Sequence, residues 1–134
     1  SSFAGLKHPE VMISTDSILM GQGRPSSLFY GCYPRFFGRY VREKKLLPLE
    51  AAVRKTTGLA AEHFKLKKRG KLERDAFADV VVFDLDTIAS RSSFIDPANF
   101  PDGIEHVFIN GKHVLEQGVF RPQPRSGRLL RHGG

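Results

Sequence analysis

The sequence holds a single cysteine, Cys32, so no intramolecular disulfide can form and cysteine usage says nothing for secretion. No apolar run approaches the roughly 18 residues a membrane helix needs, and there is no basic-then-apolar leader. The five histidines (His8, His63, His106, His113, His132) form no His-x-His or His-Glu-x-x-His pair, the spacings that commonly bring two imidazoles to one metal. They read as scattered surface or strand residues. A phosphate-cradling glycine loop, a dinucleotide fingerprint, a zinc-finger spacing and an internal repeat are also missing. Cys32, set among Phe29, Tyr30 and Tyr33, reads as a small buried residue, because no histidine is placed to activate it.

What is present fits a globular protein of about one average domain: 134 residues, 40 % hydrophobic and 26 % charged. The net charge of +7 raises nucleic acid or another anionic surface as a partner. The charge is concentrated. Between Arg39 and Arg74 stand twelve Lys/Arg against four Glu, a local +8, which leaves −1 for the rest. The densest run, Lys65 to Arg69 before Gly70, reads as a solvated helix end, with cations suited to the last carbonyls. Only Phe64 stands close by to stack on a base, so the signal for nucleic acid is weak.

Val11, Met12 and Ile13 form an apolar run without alternation, the pattern of a strand buried on both faces. Residues 17–33, rich in Gly, Ser and Pro, predict a long loop. Pro34 suits the first position of a helix carrying Phe37, Tyr40 and Val41, with Gly38 costing it about 1 kcal/mol against Ala. Pro48 opens a second helix with Leu49, Ala52 and Val53 on one face and Gly58 as its stop; Leu59 to Phe64 makes a third. Phe36, Phe37 and Tyr40 belong to the core, and the helical cations face water. After Gly70 the pattern turns to β. Asp79 and Asp84 fence the strand Val80–Phe83, with Asp84 and Asp86 capping the turn after it. Asn110-Gly111 joins Val107–Ile109 to Lys112–Leu115 as a two-residue hairpin.

A strand buried on both faces needs neighbours that the first ten residues do not offer, so the chain reads as the end of something larger. Asp16 closes that strand ahead of a Gly-rich loop. The carboxyl end of a strand is where barrels and open sheets build their sites, and a carboxylate there can hold a metal or take a proton. The plainer reading is an aspartate that caps a loop.

The stretches His8–Asp16, Tyr30–Glu43, Pro48–Gly58, Ala78–Asp84, Gly103–Gly111 and Ser126–Arg131, in this order and spacing, resemble the carboxyl-terminal part of the N-acyl-D-amino-acid deacylases (D-aminoacylases) of the amidohydrolase superfamily. Tyr30-Gly31-Cys32-Tyr33-Pro34-Arg35 and Gly127-Arg128-Leu129-Leu130-Arg131 narrow the likeness to the deacylases. The resemblance implies an α/β fold: the final strand and helices of an amidohydrolase-type TIM barrel over residues 1–69, then part of a small β-sandwich over 70–134. It implies a cytoplasmic, metal-dependent hydrolase, usually zinc, that cleaves N-acyl-D-amino acids to a D-amino acid and a carboxylic acid.

By the same resemblance Asp16 is the catalytic residue, the base that takes a proton from metal-activated water and delivers it to the leaving amine. The family's metal-binding half, with its His-x-His pair and its cysteine ligand, has no counterpart here. Asp16 is therefore at most one contact to a zinc ion that needs about three protein ligands. No zinc is expected to bind tightly to this chain alone, which should be inactive without its missing amino-terminal half. Where these enzymes usually carry His-Pro-Arg, this sequence has Ser26-Ser27-Leu28, losing the arginine placed to pair with the substrate carboxylate. Substrate-binding residues are not otherwise assigned. The expected partners are a small-molecule N-acyl-D-amino acid and the missing half or a second copy; no membrane is expected. The alternative reading is a small basic nucleic-acid-binding module or a non-catalytic interaction module.

Overall fold

The computed structural model describes residues 3–17, 23–121 and 125–131. Helices come first: α1 (Ala4–Lys7), α2 (Ser27–Arg35), a π-helical segment (Phe36–Glu43), α3 (Leu49–Thr56) and α4 (Gly58–His63). A four-stranded antiparallel meander follows in the order β1 (Val80–Phe83), β2 (Ile104–Ile109), β3 (Lys112–Glu116) and β4 (Val119–Phe120). Among the described residues no helix is long and apolar enough to cross a membrane.

The expected strand at Val11–Ile13 does not form: the segment belongs to no strand, and Val11 is exposed. A strand buried on both faces exists only between neighbours, and no described strand flanks this one. Lys55 of α3 holds it instead, through both its backbone and its side chain. Ile13 N–H donates to the Lys55 carbonyl at 3.3 Å, and the Lys55 ammonium donates to the carbonyls of His8 and, at 2.8 Å, Val11.

The predicted loop over 17–33 runs too far at its end, while its residues 18–22 lie outside the described residues. The Ser26 hydroxyl accepts from Leu28 N–H at 3.2 Å, and this N-cap starts α2 at Ser27. Pro34 thus lies inside a helix, not at its first turn. It cannot donate to the Tyr30 carbonyl, and just beyond it the ladder widens into the π segment, which ends with Lys44 N–H bonded to the Arg39 carbonyl at 3.0 Å. Gly38 in that segment is a packing requirement. A Cβ there would sit 2.4 Å from the Ile88 carbonyl oxygen, so only glycine lets the loop after β1 approach this closely.

On α3 the buried face carries Ala52 and Lys55, while Val53, expected to pack, is 37 % exposed. α3 ends at Thr56 with Thr57 as its C-cap, so Gly58 stands just past the helix as expected, but without a left-handed φ, and it opens α4 directly. Phe36, Phe37, Val41, Ala52 and Ile88 form one buried cluster, with Tyr40, Phe83, Leu85 and Ile104 packed against it. Helices and sheet therefore share a core.

The β region follows its local code. Asn110 and Gly111 take φ of 49° and 78°, the doubly left-handed turn that Asn-Gly favours. Asp79 accepts from Asn110 N–H at 2.8 Å and pairs with Arg69, whose guanidinium also reaches Asn110 Oδ1 and lies 4.3 Å from the Phe77 ring. Asp84 closes the next turn, accepting from Asp86 N–H at 2.9 Å and from the Thr87 hydroxyl at 2.8 Å.

These two hydrogen bonds, backbone first, hold the Asp84 carboxyl below its ordinary range. A carboxylate whose folded pKa is depressed contributes stability that is present above the unfolded value, near 4, and lost as pH falls through the folded one. Thermal melts between pH 5 and pH 2.5 should show a falling Tm, and Asp84→Asn should flatten part of that acid limb. An unchanged limb in the variant would remove Asp84 from the account.

Candidate functional site

Asp16 ends the extended segment with a φ of 47°, in the left-handed region that Asp tolerates better than most side chains. Its side chain is exposed, and among the described residues it makes no hydrogen bond or ion pair. The segment is fastened just upstream, where the Cys32 thiol of α2 donates to the Ser14 carbonyl at 3.6 Å. Cys32 is half-buried and not buried as expected; burial still pushes the thiol up from its ordinary pKa, with Arg35 opposing, which favours the protonated donor. Lys55, only 4 % exposed, clamps the other end with its hydrogen bonds to His8 and Val11, and no described carboxylate pairs with it. A free carboxylate is thus presented from a segment tied at both ends to helices, able to accept a proton or offer one ligand.

The residues around Asp16 do not make a zinc centre. A catalytic zinc takes about three protein ligands, and among the described residues no group of three His, Cys, Asp or Glu includes Asp16. Among the described residues the one group of three that could hold an ion is His106, His113 and Glu116, on the hairpin. The histidines are therefore not all scattered: His106 Nδ1 and His113 Nε2 lie 3.1 Å apart. The hairpin register carried that signal, since pairing Phe108 with His113 puts His113 on the same face as His106, diagonally across the strands.

The basic region is less free than its composition implied. Arg42 donates to the carbonyls of Leu85, Asp86 and Ile88 at 2.9–3.1 Å, and Lys55 and Arg69 are likewise engaged inside the fold. The run Lys65–Lys68 does stay at the surface, as a solvated helix end should. Ser26-Ser27-Leu28 forms the cap and first turn of α2. Arg24 is occupied with the Ile95 carbonyl.

Residues 6–115 match the amidohydrolase family, and the chain belongs to that family. Within it, the chain is 45 % identical over 125 residues, 93 % of its length, to an N-acyl-D-glutamate deacylase of Alcaligenes xylosoxydans xylosoxydans. A crystal structure of D-aminoacylase superposes with a TM-score of 0.84 at 41 % identity over 90 % of this chain. The N-acyl-D-glutamate deacylase of Bordetella bronchiseptica, solved with zinc and a phosphonate mimic of the tetrahedral intermediate, gives 0.86 at 40 % identity over 94 %. The chain spans about a quarter of the length of each of these proteins.

Proposed function

We propose that this chain is the carboxyl-terminal part of an N-acyl-D-amino-acid deacylase and supplies its general base, Asp16. Residues 1–69 would complete the barrel, Val11–Ile13 becoming its last strand once flanked, and residues 70–134 would form part of the accessory β-sandwich. The observation that carries this reading is the exposed Asp16 carboxylate, without a partner among the described residues, at the end of an apolar segment in a chain of the amidohydrolase family. Val81, Val119, Phe120 and Leu129 are each more than half exposed, which supports further chain lying over the sheet.

In the reaction, the oxygen of water attacks the acyl carbon while its proton passes to Asp16. The C–N bond then breaks, and Asp16 returns the proton to the departing amine nitrogen. The products are a carboxylic acid and a D-amino acid. Among the described residues no set of three metal ligands includes Asp16, so the catalytic metal and its polarising role would come from the rest of the enzyme. The arginine absent at Ser26–Leu28 would have made a charge-assisted contact to the substrate carboxylate, and losing it should raise KM more than it lowers kcat.

The test is release of free amino acid from N-acetyl-D-glutamate by the isolated 134-residue chain with added zinc. The expected result is no turnover above the buffer rate. Robust turnover would show that the chain carries a complete site.

A further inference from the structure

We propose that His106, His113 and Glu116 form a binding site for a divalent transition metal of the zinc type on the face of the β2–β3 hairpin. The proposal goes beyond the deacylase reading and does not depend on it.

The site is built by strand register. Counting back from the Asn110-Gly111 turn, a regular ladder would set Leu115 opposite His106. Instead the register shifts between Val107 and Phe108, and Glu116 opposes His106 while His113 opposes Phe108. A β-bulge commonly re-aims side chains in this way. It brings a carboxylate onto the face that already holds two imidazoles.

Their geometry suits one ion. One ligand atom from each residue can be chosen so that all lie within 4.8 Å of one another, and all three residues are half-buried. The two imidazole nitrogens are already 3.1 Å apart. Two nitrogens bound tetrahedrally at about 2.05 Å stand about 3.3 Å apart, so little movement is needed. The His113 ring is stacked on Phe108 at 4.4 Å and 11°, which limits its rotation. Two imidazoles with one carboxylate favour zinc, cobalt or copper over calcium or magnesium.

Without an ion, one imidazole donates its N–H to the other and Arg121 neutralises Glu116. Binding requires the donor ring to present its lone pair in place of that proton. Arg121 pairs with Glu116 Oε2, leaving Oε1 for the metal. Its positive charge opposes a cation, so it should weaken the site without being part of it. An occupied site would tie β2 to β3 beyond their backbone ladder.

The experiment titrates the full chain with Co²⁺ and Zn²⁺, reading the Co²⁺ absorption bands and competition against a chromogenic chelator. One equivalent should bind, with Tm rising as zinc is added. Losing an outer-shell partner alone costs about 10- to 100-fold in affinity, so His106→Gln and His113→Gln should each weaken binding at least about tenfold. Arg121→Gln, at an exposed position, should tighten it. Absence of binding at millimolar metal overturns the proposal. So does binding that survives both histidine substitutions unchanged, and a melt of each variant without metal shows that the fold is intact.

Discussion

Replacing Asp16 by Asn is expected to lower kcat by about 10²- to 10⁴-fold, the range over which a positioned general base contributes. The chain lacks metal ligands at this residue, so the substitution belongs in a hybrid enzyme. In it, this chain replaces the matching quarter of the Alcaligenes N-acyl-D-glutamate deacylase. Asparagine keeps the shape of the side chain but cannot take a proton from water at neutral pH. The loss should therefore fall equally on kcat and kcat/KM, with substrate binding little changed. Asp16 is exposed and has no hydrogen-bond partner among the described residues, so stability should move by less than about 0.5 kcal/mol. Steady-state kinetics with a parallel melt separates the two effects. A kcat within about twofold of the unsubstituted hybrid would remove the base assignment.

Phe37→Ala should have the largest effect on folding. Phe37 is 7 % exposed, and its ring lies 5.4 Å from Phe36 and 5.1 Å from Phe83. It therefore joins the π segment to β1. Truncating a buried phenylalanine costs about 3–5 kcal/mol, through lost transfer energy and the cavity left behind. Domains of this kind are stable by only about 5–15 kcal/mol, so the variant should unfold at a much lower urea midpoint or fail to fold at room temperature. Phe94→Ala is the matched control. That ring is 96 % exposed, and its loss should change stability by less than about 0.5 kcal/mol. Equal midpoints for the two variants would contradict the shared core.

The features legible in the sequence are those set by neighbouring residues. Asn110-Gly111 determines its turn by backbone sterics alone, and the β-branched run before Asp84 needs only a partner strand. The second tight turn, at Gln117-Gly118 with φ of 46° and 77°, was illegible because glutamine has no special tolerance for that region. Lys55 was placed in water by its charge, yet two carbonyls of a distant segment bury it. The Val11–Ile13 strand failed for a related reason: burial on both faces is a property of neighbours, which composition cannot supply. At the candidate site, Asp16 was found by its place after an apolar run. The pairing of His106 with His113 was available from the hairpin register, but the bulge that adds Glu116 was not.

Catalysis is divided under this proposal, with the base in this chain and the ligands of the catalytic metal in the rest of the enzyme. The most direct measurement of this division is the release of D-glutamate from N-acetyl-D-glutamate by the zinc-loaded hybrid. The expected result is turnover that requires zinc, with a raised KM, and none from either part alone. A hybrid that folds and binds its zinc but does not turn over substrate would contradict it.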